Sequence, residues 1–167
     1  RMLAHLQGSV LNAQRLAQSL DANWHSVRRY LDLMCDLLLV RRLPPWSRNE
    51  GKRLVKAPKI YFRDSGLLHA LMSLRDAGEL LAHPRCGASW EGYALEQVVL
   101  MTQPDECYFW ATHAGAELDL LMFKYGRRIG VAFKRMDAPK LTPSMRSAKD
   151  TLSLEALYVV YPGARRY

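Results

Sequence analysis

The chain has 167 residues, 49% of them hydrophobic, and a formal net charge of +8 at pH 7. That length and apolar content suffice for one medium domain or two small ones, each with its own core, and exclude an intrinsically disordered chain. No run of about 18 apolar residues is present to span a bilayer as a helix, and no cationic-then-apolar signal peptide opens the sequence. The charge is unevenly placed: residues 1–75 hold 13 Lys and Arg against 5 Asp and Glu, whereas residues 76–167 hold 11 against 11. A basic first half predicts contact with nucleic acid or another anionic surface, a solubilising basic face being the plainer alternative. Cys35, Cys86 and Cys107 are odd in number and lack a C-x-x-C pairing, which predicts reduced thiols in a cytoplasmic protein. His83 and Cys86 lie three apart without a second pair to complete a zinc site. Arg1 opens directly into helix-like sequence, so the chain reads as part of a longer protein.

Residues 2–6 read as the tail of a helix broken by Gly8, and Asn12 as the cap of a short helix carrying Leu16, Ala17 and Leu20. A turn over residues 21–23 leads into a longer helix through Trp24, Val27, Tyr30, Leu31, Met34, Leu37 and Leu38. This is a helix-turn-helix arrangement. Its last helix offers His25, Ser26, Arg28 and Arg29 near its start, where a recognition helix presents base- and phosphate-contacting side chains. Helical hairpins of this pattern also serve as protein contacts. Tyr30, Trp46 and the Pro44-Pro45 turn would then be anchors, although the spacing of Tyr30 suits a core.

Residues 40–43 and 54–56 read as short strands around a loop with Pro44, Pro45, Ser47, Asn49 and Gly51. A basic hairpin after a helix-turn-helix is the pattern of a winged helix, and Arg48, Lys52, Arg53 and Lys56 would charge the wing. A third strand over residues 58–62 follows, then a helix over 66–74, capped by Asp64 or Ser65 and packed through Leu67, Leu68, Leu71 and Met72. Residues 76–89, with Gly78, His83, Pro84 and Gly87, read as a linker between a domain of residues 1–75 and another of residues 90–167.

In the second half Ser89 is expected to cap a helix over 90–101. A strand over 107–111, a hairpin, a helix over 142–152 and a strand over 156–161 complete the order αβββαβ. The hairpin consists of Ala-Glu-Leu-Asp-Leu-Leu-Met-Phe from Ala116 and Arg-Ile-Gly-Val-Ala-Phe-Lys-Arg ending at Arg135. With Tyr125 and Gly126 as the central turn residues, antiparallel pairing sets Asp119 opposite Ala132, side chains roughly 5 Å apart. Tyr is not favoured at the first position of a type I′ turn, which leaves a shifted register open. Alternation puts Glu117 and Asp119 on one face and Ala132 with Lys134 on one face of the partner strand. The opposite faces, Leu118, Leu120 and Met122 with Ile129, Val131 and Phe133, are expected to be buried. A metal-dependent phosphodiesterase built on an Asp followed by Glu-x-Lys needs two carboxylates for Mg²⁺ and a lysine beside the attacking water. Asp119 and Lys134 are present, and Ala132 stands at the glutamate position. A half-buried hairpin with solvated charges is the bland reading of the same residues.

Several separated words point one way. Arg53-Leu-Val-Lys-Ala-Pro-Lys-Ile-Tyr-Phe-Arg-Asp-Ser-Gly-Leu-Leu-His, preceded by Arg29-Tyr-Leu and Pro44-Pro45, is followed by Trp90-Glu91-Gly92-Tyr93, Glu96, Glu117-Leu118-Asp119 and Phe133-Lys134. In this order they resemble the domain of unknown function 4143, which in bacterial and archaeal proteins usually follows an AAA-type P-loop ATPase domain. The resemblance implies an α+β or α/β fold, a winged helix-turn-helix followed by a restriction-endonuclease-like core of the PD-(D/E)xK type. By the same resemblance, Asp119 is the first metal carboxylate, Lys134 the lysine that orients water, and Glu96, with Glu91 as the alternative, the accessory acid. Glu117 is a further ligand candidate for Mg²⁺ or Mn²⁺, and Ala132 marks a degenerate position. No G-x-x-x-x-G-K-[ST] occurs, so ATP belongs only to a region outside this sequence.

Three functions are therefore weighed. The leading one is a DNA-binding and partner-docking portion of an ATPase, its wing and helix start contacting phosphates through Arg28, Arg29, Arg48, Lys52, Arg53 and Lys56, with the nuclease-like core inactive as written. The others are a Mg²⁺- or Mn²⁺-dependent endonuclease and a protein-interaction module of the ATPase.

Overall fold

The structure is a computed structural model describing residues 1–47 and 57–163. It is a mixed α+β molecule with a two-stranded and a four-stranded sheet, and its described residues divide into two compact units. One unit comprises Arg1–Arg42 and Ala57–Tyr93, and the other takes in 43–47 and 94–163.

The first unit opens with a 3-10 helix, Met2–Leu6, and Gly8 breaks it with φ +70. Helix α1 (Ala13–Ser19) is capped as expected by Asn12, whose side chain accepts from the Arg15 amide at 2.9 Å. Helix α2 (Trp24–Asp36) follows after a four-residue connection, with Asn23 accepting from the His25 amide at 2.8 Å. Strand β1 (Val40–Leu43) pairs with β2 (Lys59–Phe62), and α3 (Ser65–Leu71) is capped by Asp64. The expected strand over 54–56, and with it the wing residues Arg48, Lys52, Arg53 and Lys56, lie outside the described residues. The core of this unit gathers Leu16, Val27, Leu31, Ile60, Phe62 and Leu68.

Two expectations for the first unit change. Of the seven apolar α2-region residues, only Val27 and Leu31 are buried; Tyr30 is 59% exposed and Leu37 and Leu38 still more so. Seven apolar positions at helical spacing cover a wider arc than one supporting layer can bury, so Trp24, Tyr30, Leu37 and Leu38 are exposed while Met34 packs, partly buried, against the core. Residues 76–89, read as a linker, contain α4 (Ala77–Ala82) and the start of α5 (Cys86–Thr102). Ser89 is not a cap. It lies inside α5, where its hydroxyl is 2.7 Å from His69 Nε2.

The four-stranded sheet of the second unit runs in the order β3 (Glu106–Ala111), β4 (Glu117–Lys124), β5 (Arg127–Phe133), β6 (Ala156–Val160). The first two pairings are antiparallel, while β5 and β6 are parallel and joined through α6 (Pro143–Leu152), as a parallel pair requires a crossover. Pro44 to Trp46 line the outer side of β3: Phe109 donates to the Pro44 carbonyl at 3.0 Å and Trp46 to the Phe109 carbonyl at 2.7 Å. Trp46 is therefore half-buried in this unit, packed beside Trp110 and Leu118, and not a protruding anchor.

Strand β4 is buried on both of its faces. Leu118 through Met122 are all buried, so the expected alternation of a polar and an apolar face on β4 does not hold. A bulge explains part of it. Tyr108 pairs with Leu121 and Trp110 with Leu118, so Phe109 alone faces the two residues Asp119 and Leu120. The extra residue shifts the parity, and Leu118 and Leu121 join one cluster with Trp110, Ala148, Leu152 and Leu154 beneath α6.

Candidate functional site

The hairpin register follows from its turn. Tyr125 (φ 50) and Gly126 (φ 74) are both left-handed, the backbone of a type I′ turn. Tyrosine is held in this costly conformation by its surroundings: Asp105 Oδ2 accepts from the Tyr125 amide at 2.9 Å, and Lys124 Nζ lies 5.2 Å from the ring centroid. The pairs Lys124 with Arg127, Met122 with Ile129 and Leu120 with Val131 continue this register toward Asp119 and Ala132.

Asp119 is 7% exposed, and its Oδ2 accepts a hydrogen bond from the Phe133 amide at 2.8 Å. One carboxylate oxygen is thus used in joining the bulged part of β4 to the end of β5. Ala132 is 3% exposed and pairs with Val159 of β6. Lys134 directly follows β5; its amide donates to the Val160 carbonyl at 2.9 Å, and the residue is half-buried.

The two helix glutamates have different surroundings. Glu91 belongs to a polar cluster of the first unit, where its Oε1 accepts from the Tyr61 hydroxyl at 2.5 Å and lies 3.9 Å from Lys59 Nζ. Gln7, 1% exposed, accepts from the Phe62 amide beside it, and a Cβ on Gly92 would come within 2.1 Å of Gln7 Nε2. The words Lys59-Ile60-Tyr61 and Glu91-Gly92 meet here, in a buried ionic and hydrogen-bonded junction that sequence spacing does not announce. Glu96, in the second unit, is 3% exposed. Glu117 is exposed, with its backbone amide and carbonyl both bonded to Ser144 Oγ.

Hard divalent cations select for several oxygen ligands. Among the described residues, no group of three or more His, Cys, Asp or Glu side chains is placed to hold a metal ion. With a methyl group at position 132 and an Asp119 oxygen already accepting from an amide, these residues do not fit the Mg²⁺ or Mn²⁺ of a two-carboxylate phosphodiesterase.

The basic helix start is organised differently. His25, Ser26, Arg28 and Arg29 are all exposed around the N-terminal turns of α2, with Val27 and Leu31 anchoring the opposite side in the core. Not every cation of this half is available. Arg42 forms a 2.5 Å ion pair with Asp32; partial burial works against its charge, but the contacts with Asp32 and Cys35 outweigh that and raise its pKa.

Residues 86–167 match the family described as Domain of unknown function (DUF4143). Residues 1–78 match one described as Domain of unknown function (DUF8612). The stretch from Arg53 to His69, which was expected to share the first likeness, therefore falls within the second. Two relatives, the uncharacterized protein Rv2008c of Mycobacterium tuberculosis and the uncharacterized protein Mb2031c of Mycobacterium bovis, are each 46% identical over 166 residues, covering 99% of this chain. The chain spans 38% of the length of each. No solved structure matches. Among the described residues, no helix is long and apolar enough to cross a membrane.

Proposed function

We propose that this chain, which carries a DUF4143 domain over residues 86–167, is a DNA-binding portion of a larger protein whose first unit meets the phosphate backbone through the start of α2. The observation that carries this reading is the exposed quartet His25, Ser26, Arg28 and Arg29 on the second helix of a capped helix-turn-helix, in the half of the chain that holds the whole charge excess. The larger protein is, on the family resemblance, a P-loop ATPase. The second unit, a nuclease-like core in this reading, lacks the carboxylate pair for metal-assisted hydrolysis and acts by binding.

Phosphate contacts release counterions, so affinity falls linearly in log salt with a slope of about 0.9 per contact. Fluorescence anisotropy with a labelled duplex across a salt series tests the reading. Arg28→Ala with Arg29→Ala is expected to lower the slope by about two and weaken binding to unrelated duplexes alike. Unchanged affinity and slope in that double variant, or no binding of the parent chain at low salt, would overturn it.

A further inference from the structure

The second half is neutral in sum but strongly polarised along its length. Between residues 134 and 149 stand Lys134, Arg135, Lys140, Arg146 and Lys149 against Asp137 alone, which leaves six cations against ten acids in the rest of residues 76–167. The other described cations of this unit are engaged. Arg127 pairs with Glu155 at 2.8 Å, Arg128 donates to the Leu152 carbonyl and lies over the Trp46 and Phe123 rings, and Lys124 donates to the carbonyls of Thr102 and Gln103. None of the five has an ion-pair partner among the described residues.

Their placement follows from the packing of α6. Met145, Ala148 and Leu152 bury one side of that helix, which turns Arg146 and Lys149 outward, one helical turn apart on a shared face. Arg135 and Lys140 are exposed on the loop between β5 and α6. The first turn of α6 is already capped by Thr142, so the cations, not free helix amides, supply the attraction. Unpaired like charges this close repel one another and cost stability, a cost that an anionic partner removes.

We propose that this loop and the outer face of α6 form a second polyanion-binding surface, with duplex DNA as its partner. It depends on neither the α2 contact nor any metal. Asp150 and the exposed Glu117 border it, which confines the basic area to the loop and the first two turns of the helix.

The experiment is a salt-series titration of a labelled duplex with the full chain, Arg146→Ala with Lys149→Ala, and separately Arg135→Ala with Lys140→Ala. All four positions are exposed, and unchanged circular dichroism would verify the fold. Each pair is expected to lower the salt slope by about one to two. If both pairs leave slope and affinity unchanged, the proposal fails. It also fails if the pairs affect binding only to phosphatidylserine vesicles and not to DNA. Loss with these pairs but none with Arg28→Ala and Arg29→Ala would sink the α2 reading and leave this one standing.

Discussion

At position 119 an ordinary strand residue would point to one side of the sheet and leave its neighbours to the other. Asp119 instead sits in a bulge, is almost fully buried, and accepts from the Phe133 amide at 2.8 Å. A hydrogen bond to a charged acceptor is worth about 1.5–3 kcal/mol, and deleting it also leaves a donor without its partner. Asp119→Ala should therefore lower stability by about 2–3 kcal/mol in urea denaturation, and Asp119→Asn, which keeps an oxygen acceptor, by clearly less. Equal losses in the two variants would mean that packing, and not this bond, sets the role of the residue. The pairing from Lys124 with Arg127 to Leu120 with Val131 was legible because a two-residue turn sets the register of a hairpin. The bulge at Asp119 was not, since the parity change arises from the pairing with β3, through tertiary contacts that no local pattern encodes.

Elements were legible where chain chemistry acts over a few residues and obscured where distant partners decide. Asn12 and Asp64 cap the helices they were expected to cap, because a side-chain oxygen two or three residues from an open amide is a local matter. The start of α5 was misplaced because Gly87 and Ser89 look like breakers, whereas Ser89 bonds His69 twenty residues away and the helix runs through it. Strand β5 shows the same dependence on distant contacts at Gly130. A Cβ there would lie 2.6 Å from Leu154 Cδ1, 3.0 Å from Leu157 Cδ1 and 3.2 Å from Leu118 Cδ2. What a side chain at position 130 would meet is the ends of these leucine side chains, and no positive φ adds to the constraint. Gly130→Ala is expected to cost about 1–3 kcal/mol by overpacking, and Gly130→Val more, read as a lowered urea midpoint with an unchanged m-value. An Ala variant as stable as the parent would show that these three leucines have room to move.

For the molecule as a whole, dividing the charge between the two halves located the basic helix start but concealed the second cationic surface, because acids elsewhere in residues 76–167 cancel it in the sum. What matters to a polyanion is the field of a surface, not the total of a segment. The two surfaces lie on separate elements, α2 in one unit and α6 with its loop in the other, and their cations share no side-chain partner among the described residues. Free-energy losses from such independent sites usually add within about 0.3–0.5 kcal/mol. A quadruple variant, Arg28→Ala, Arg29→Ala, Arg146→Ala and Lys149→Ala, should therefore lose binding energy to one long duplex equal to the sum of the losses in the two double variants, and its salt slope should fall by the sum of their slope changes. If the quadruple variant binds no more weakly than the weaker of the two doubles, the other surface adds no binding energy once the first is lost, and the two are not independent parts of one DNA contact.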